Sequence, residues 1–266
     1  MKLKKLGKAI LLGTLVVGLL TGCSGGSKED KTIKVGASPT PHAEILEAAK
    51  PVLEKEGYEL EVVEYDDYVL PNDALADGSL DANYFQHIPY LNATIEEKDY
   101  DLTYCAKVHI EPMGVYSKKL KSLDEVKDGA KVSVPNDSTN EARALQLLAA
   151  NGLIEVKDGE LITAKDITKN PKNIEIVEVD AAQVPSTLDD VDLAVINTNY
   201  ALNVGLNPTK DAIVIEDSNS PYVNVVAIRT EDKDSDKAKA LQKALNSDEV
   251  KKFIEDKYDG STVPAF

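Results

Sequence analysis

The sequence predicts an α/β fold, and three observations carry that reading. Short strand-like runs, such as residues 33–38, 58–65 and 131–134, alternate with amphipathic helical stretches, such as 42–56, along the whole chain. Polar turns follow the strands at Ser38, Phe85, Val134 and Ile196. The 266 residues are 42 % apolar, which is ample for a packed core in one large domain or two small ones. Such alternation implies parallel sheets covered on both faces, with ligands bound at the carboxyl ends of the strands.

The chain opens with a processing and tethering segment. Lys2, Lys4, Lys5 and Lys8 precede an apolar run over residues 9–20, the layout of a signal peptide, and that run is too short for a membrane span. Leu20-Thr21-Gly22-Cys23 has the residue types of a lipoprotein processing site. Residues 1–22 are therefore expected to be a leader, Cys23 the first mature residue with lipid on its sulfur, and 23–31 a tether. The alternative is an ordinary secretory peptide with an incidental cysteine. Lipidation places the protein at the cell membrane, on its extracytoplasmic face. Once Cys23 is committed, Cys105 has no intramolecular partner, and within the apolar run 102–108 it reads as a buried structural thiol.

Charge narrows the partners. The formal net charge is −16, and loss of the four leader lysines makes the mature chain more acidic still. Such a surface has no electrostatic footprint for nucleic acid. It is also repelled by anionic lipid, so membrane attachment has to come from the anchor.

Each element follows in order. After the strand at 33–38, Pro39-Thr40-Pro41 makes a rigid turn, and residues 42–56 place Ile45, Leu46, Ala49, Val52 and Leu53 on one helical face. Pro51 either kinks that helix or splits it. Gly57 ends it, and 58–65 alternates as a second strand. A loop over 66–72 carries Tyr68, a short helix spans 73–77, and 80–85 is a strand. Residues 87–97 form a helix with Pro89 in its tolerant first turn. Strand-like 102–108 and 115–117 flank His109-Ile110-Glu111-Pro112-Met113-Gly114, and a short helix follows at 123–128. Strands at 174–179 and 192–196 are separated by a helix interrupted at Pro185, and another helix covers 198–204. Strands at 213–215 and 222–228 precede amphipathic terminal helices over 236–245 and 248–258.

One stretch holds chemistry of its own. After the strand at 131–134, Pro135 and the polar run 136–140 supply turn and cap residues, and Ala142, Leu145, Leu148 and Ala149 take up helical spacing. Arg143 then falls in the first helical turn, where a cation opposes the helix dipole unless an anion sits beside it. A guanidinium beside free backbone N–H groups is a receptor for a carboxylate or phosphate. The alternative is a simple pair with a nearby acid such as Asp137.

Other chemistries find less support. His42, His87 and His109 with Glu111 suggest a zinc receptor, but they are widely separated and show no ligand-spaced pair, so no metal or cofactor is expected. No Gly-x-Ser-x-Gly elbow, phosphate-cradling glycine loop or metalloprotease helix occurs, and Cys105 has no adjacent base, which argues against an enzyme.

Several runs, taken together, resemble a known family. They are Pro41-His42-Ala43-Glu44-Ile45-Leu46, Asn83-Tyr84-Phe85-Gln86-His87, His109 to Gly114, Pro135-Asn136-Asp137, Ile196-Asn197-Thr198-Asn199-Tyr200-Ala201 and Ser220-Pro221-Tyr222-Val223-Asn224. In this order they resemble the methionine-binding lipoproteins of the NlpA type, the substrate receptors of methionine ABC importers. The resemblance spans nearly all of the mature chain. It implies a two-lobed periplasmic-binding-protein fold, type II-like, with a hinge between lobes of residues 32–113 plus 224–266 and of 114–223. It also implies that Arg143 holds a ligand carboxylate, that Asn199 and Asn224 bond the amino acid head group, and that Tyr68, Phe85, His87, Tyr90 and His109 line the thioether pocket. Sulfur among aromatic rings gains roughly 0.3–1.5 kcal/mol per contact. The implied partners are methionine, L-methionine first, and an importer permease with its cytoplasmic ATPase, and the implied state is a monomer. Alternatives are a related ligand (D-methionine, the sulfoxide or a short methionine peptide) or, in another class, a surface adhesin or structural lipoprotein. Ser138, Ala142 and Leu70 depart from residues common in that family, at the turn presenting Arg143, beside Arg143 and near Tyr68.

Overall fold

In the computed structural model, which describes residues 31–217 and 220–266, the first part of the chain winds as successive βα units. The predicted leader, the lipidation site Cys23 and the tether up to residue 30 lie outside the described residues. Strand β1 (Thr32–Ala37) leads into helix α1 (Glu44–Lys55), β2 (Glu59–Glu64), α2 (Leu70–Ala76), β3 (Ala82–His87), α3 (Ile88–Lys98) and the long β4 (Leu102–Ile110). Helix α1 buries Ile45, Leu46, Ala49 and Leu53, the stripe its 3.6-residue spacing demands. It runs through Pro51 without a break. Pro51 lies on the exposed side, as does Glu47 four residues earlier, so the carbonyl that loses its helical donor faces water.

After β4 the chain enters a second group of elements. Strands β5 (Gly114–Tyr116) and β6 (Lys131–Pro135) precede helix α4 (Ser138–Ala150), a hairpin of β7 (Glu155–Val156) and β8 (Ile167–Lys169), and strand β9 (Glu175–Val179). Next come β10 (Leu193–Ile196), α5 (Thr198–Asn203), α6 (Pro208–Asp211) and β11 (Val214–Ile215). The segment Ala181–Asp189, read from sequence as an interrupted helix, is a 3-10 helix; Pro185 has no N–H to donate. The chain then returns through β12 (Val223–Arg229) and ends with α7 (Asp236–Leu245), α8 (Asp248–Tyr258) and β13 (Val263–Pro264).

Two main sheets result, and each anchors one lobe. The first has the order β13-β4-β12-β3-β1-β2, and the second β11-β5-β10-β6-β9. The sequence implied parallel sheets; both are mixed. Pairs β1–β2, β1–β3, β6–β9 and β6–β10 are parallel, whereas β12 runs antiparallel to β3 and β4, and β5 antiparallel to β10. The cause is the double crossover. Strand β4 carries the chain out of the first lobe and β12 carries it back beside β4, so the two must point in opposite directions. Each lobe has its own core: Ile33, Val35, Leu46, Leu53, Leu241 and Ile254 in the first, Val132, Val134, Leu145, Leu148 and Val195 in the second.

The start of β5 leaves no room for a side chain. A Cβ on Gly114 would come within 2.7–2.9 Å of the buried Tyr116 ring. Gly114→Ala is expected to lower unfolding free energy by about 1–3 kcal/mol, from overpacking beside a crossover. Urea denaturation followed by circular dichroism measures it.

Candidate functional site

Between the lobes lies a small cavity, and its walls come from both of them. Strand pairing sets one wall. In the first sheet Asn224 of β12 lies opposite His87 on β3 and His109 on β4, so three residues far apart in sequence form one row. Helix α4 supplies the facing wall, and its start is fixed by Asp137. The Asp137 carboxylate accepts from the Asn140 backbone N–H at 3.0 Å and from its side-chain amide at 2.9 and 3.0 Å. The helix therefore begins at Ser138, and Arg143 stands in the second turn rather than the first.

Asp137 is thus taken by the cap, and the acid that pairs with Arg143 is Glu216, just beyond β11. Arg143 Nε donates to both Glu216 carboxylate oxygens at 3.1 and 3.2 Å. Nη2 donates to Glu216 Oε2 at 2.5 Å and to the Glu111 carbonyl at 2.7 Å. The Tyr222 ring lies 4.2 Å from the guanidinium carbon. Arg143 is only 3 % exposed. A cation so far from water costs several kcal/mol unless partners of this kind surround it.

Glu111 forms the polar corner. Its Oε1 accepts from His109 Nε2 at 2.7 Å and lies 3.2 Å from His42 Nε2, and its Oε2 accepts from the Asn199 backbone N–H at 3.0 Å. His42 Nε2 also lies 3.0 Å from Asn224 Oδ1, and the Tyr84 hydroxyl bonds His109 Nδ1. Burial pushes the Glu111 carboxyl up, with His42 and Arg143 opposing the shift. Burial takes the imidazoles the other way: His42 falls to about 4, His109 to about 3 and His87, also beside Arg143, to about 3. All three are neutral at pH 7.

Aromatic rings close the remaining side. Tyr68, Phe85 and Tyr90 pack with centroids 5.8–6.0 Å apart, and Tyr200 stacks on Tyr68 at 4.8 Å. Tyr68 also ties the lobes together. Its hydroxyl donates to Asn199 Oδ1 at 2.6 Å, while Tyr90 donates to the Tyr68 carbonyl at 2.9 Å. His87 Nδ1 accepts from the Tyr90 N–H and caps α3, which leaves Nε2 to donate across to Asn140 Oδ1 at 3.2 Å.

Of the residues implied by resemblance, Tyr68, Phe85, His87, Tyr90, Arg143, Asn199 and Asn224 line this one cavity. His109 does not; it stands one layer behind, fully buried, and bears on Glu111. Gln86, Glu111, Asn140, Asn197 and Thr198 also line the cavity and were not picked out as ligand contacts. All but Asn140 lie inside the runs that carried the resemblance, so the runs marked the place without assigning each side chain. Two cavity residues carry buried polar atoms with no protein partner among the described residues: the donor Asn199 Nδ2 and the acceptor Asn197 Oδ1.

The histidines are not dispersed as their spacing in sequence suggested. Donor atoms of His42, His109 and Glu111 lie within 4.8 Å of one another, a group able to hold a cation, while His87 stays apart. Their hydrogen bonds to one another, to Asn224 and to Tyr84 already engage those atoms. The Cys105 thiol is pushed up to about 12 by burial, too far to be a thiolate nucleophile at neutral pH.

Two sheet-built lobes joined by crossovers, with a cavity that offers a buried cation, a carboxyl group, amides and an aromatic wall, define a solute-binding protein. The NlpA lipoprotein family matches residues 33–266, and the chain belongs to that family. It is 46 % identical over 258 residues to the D-methionine-binding lipoprotein MetQ of Salmonella typhi, covering 95 % of this chain and 94 % of that protein. A solved nutrient-binding protein from Burkholderia cenocepacia bound to methionine is 49 % identical, with a TM-score of 0.86 over 88 % of this chain and all of that one. An ABC transporter periplasmic substrate-binding protein from Coxiella burnetii is 46 % identical, with a TM-score of 0.85 over 88 % of this chain and all of that one.

The buried imidazoles make stability depend on pH. His42, His87 and His109 have folded-state values below the ordinary 6.5, so between about pH 6.5 and 4 the unfolded chain binds more protons than the folded one. Stability is expected to fall as pH drops through that window, by up to roughly 1.4 kcal/mol per unit for each imidazole. Glu111, shifted upward, offsets part of the loss. Denaturation midpoints at pH 7, 6, 5 and 4 measure the slope; a flat or opposite slope contradicts neutral burial.

Proposed function

We propose that the protein is an extracytoplasmic receptor that captures methionine between its lobes and delivers it to an ABC importer permease driven by a cytoplasmic ATPase. It is held at the membrane by lipid on Cys23 and turns nothing over. The lobes move as 32–113 with 224–266 and as 114–223, hinged at the two crossovers. The observation that carries this reading is the placement, in one small cavity, of polar groups suited to both ends of a zwitterion beside an aromatic wall suited to a thioether. A charged head group removed from water needs a partner for each charge. Arg143 and the unpartnered Asn199 Nδ2 are donors for the carboxylate. Glu111, Asn224 Oδ1 and the unpartnered Asn197 Oδ1 are acceptors for the ammonium. Tyr68, Phe85 and Tyr90 receive the sulfur-bearing chain. His87 lines the cavity and caps α3, while His109 acts one layer behind by holding Glu111.

A thermal-shift panel of amino acids on refolded, ligand-stripped protein tests the reading. Methionine at about a hundred times its dissociation constant is expected to stabilise the fold by roughly 2.7 kcal/mol and raise the midpoint. Arg143→Ala is expected to abolish that shift. A panel in which no methionine-like compound moves the midpoint refutes the receptor, and an unchanged shift in Arg143→Ala refutes the role of that side chain.

A further inference from the structure

Glu216 pairs with Arg143 without lining the cavity itself, and the binding of a zwitterion does not use its charge. Its backbone N–H donates to the Met113 carbonyl at 2.8 Å, and its Oε2 accepts from the Met113 N–H at 3.2 Å. The carboxylate is thereby held against Arg143 Nε and Nη2, leaving Nη1 as the guanidinium nitrogen with no partner among the described residues. The guanidinium charge is therefore cancelled by the protein itself before a ligand arrives. The other ionisable groups around it add no positive charge. His42, His87 and His109 are buried and neutral, Asp137 is spent on the α4 cap, and Glu111 is a second carboxyl.

We infer that Glu216 sets the charge requirement of the site: by neutralising Arg143, it lets the cavity accept a carboxylate only when the same ligand carries an ammonium group. This rests on the methionine-receptor reading above. A lone guanidinium in an apolar cavity would take almost any small carboxylate. With Glu216 in place, a monoanion meets a field that is neutral or negative, whereas a zwitterion brings its own cation to Glu111 and Asn224. Removing the Glu216 charge strengthens the field at the ligand carboxylate. A monoanion keeps that whole gain, but a zwitterion returns part of it at its ammonium. Glu216 is thus a specificity-determining residue that acts through Arg143.

Isothermal titration at pH 7 compares L-methionine with its 2-hydroxy analogue, which keeps the carbon skeleton, sulfur and carboxylate and replaces the ammonium with hydroxyl. Wild type is expected to prefer methionine strongly. In Glu216→Gln that preference is expected to shrink by roughly tenfold or more, through tighter binding of the hydroxy acid, and Glu216→Asp is expected to retain it. Equal weakening of both ligands in Glu216→Gln reduces the residue to a structural brace and overturns the inference. Wild type that binds the two ligands equally overturns it without any variant, which covers the case in which Glu216→Gln does not fold. Wild type that binds neither refutes the receptor reading and this inference with it; wild type that binds methionine, with an unchanged preference in Glu216→Gln, refutes this inference alone.

Discussion

A buried guanidinium gripping both connections between the lobes is the interaction on which the rest of the structure depends. Arg143 takes the backbone carbonyl of Glu111, on the outgoing connection, and the carboxylate of Glu216, on the returning one. Glu216 is in turn bonded to Met113 in both directions through its backbone and side chain. A cation this deep is tolerated only because each of these contacts is made, so α4 and the two connections are held in one geometry. The cavity has a fixed charge distribution for the same reason.

Behind that charge lies a second layer with a different task. Tyr84, His109 and His42 are all buried, and their hydrogen bonds converge on Glu111 and Asn224, two residues of the cavity lining. Low local dielectric makes such a network stronger when complete and costly when one member is missing. His109, first expected at the ligand, belongs here. Its contribution to the cavity is the orientation of Glu111, made through a hydrogen bond rather than through contact.

The topology explains why two lobes share one site. Because β4 exits and β12 re-enters side by side in the first sheet, both connections leave that sheet at neighbouring points and reach the second sheet together. Cavity residues sit at this seam: Glu111 just past the end of β4, Asn224 near the start of β12, and Asn199 at the start of α5. The hydrogen bonds from Tyr68 to Asn199 and between His87 and Asn140 join the two lobes across the cavity.

The sequence by itself determined the α/β class, the identity and approximate limits of most of its larger elements, and the runs that build the cavity. The class and the elements follow from local periodicity, capping and turn chemistry, as in the apolar stripe of α1 and the polar run before α4, whereas the runs were marked by their resemblance to a family. Tertiary structure alone decided which acid meets Arg143. Asp137 is near in sequence but is consumed by the helix cap, and Glu216, 73 positions away, is delivered by the returning chain. It alone gathered His42 and His109 around Glu111, and it alone made both sheets mixed, because strand direction is set by where the chain must go next. Pairings between distant residues depend on the path of the whole chain, and no local pattern encodes that path.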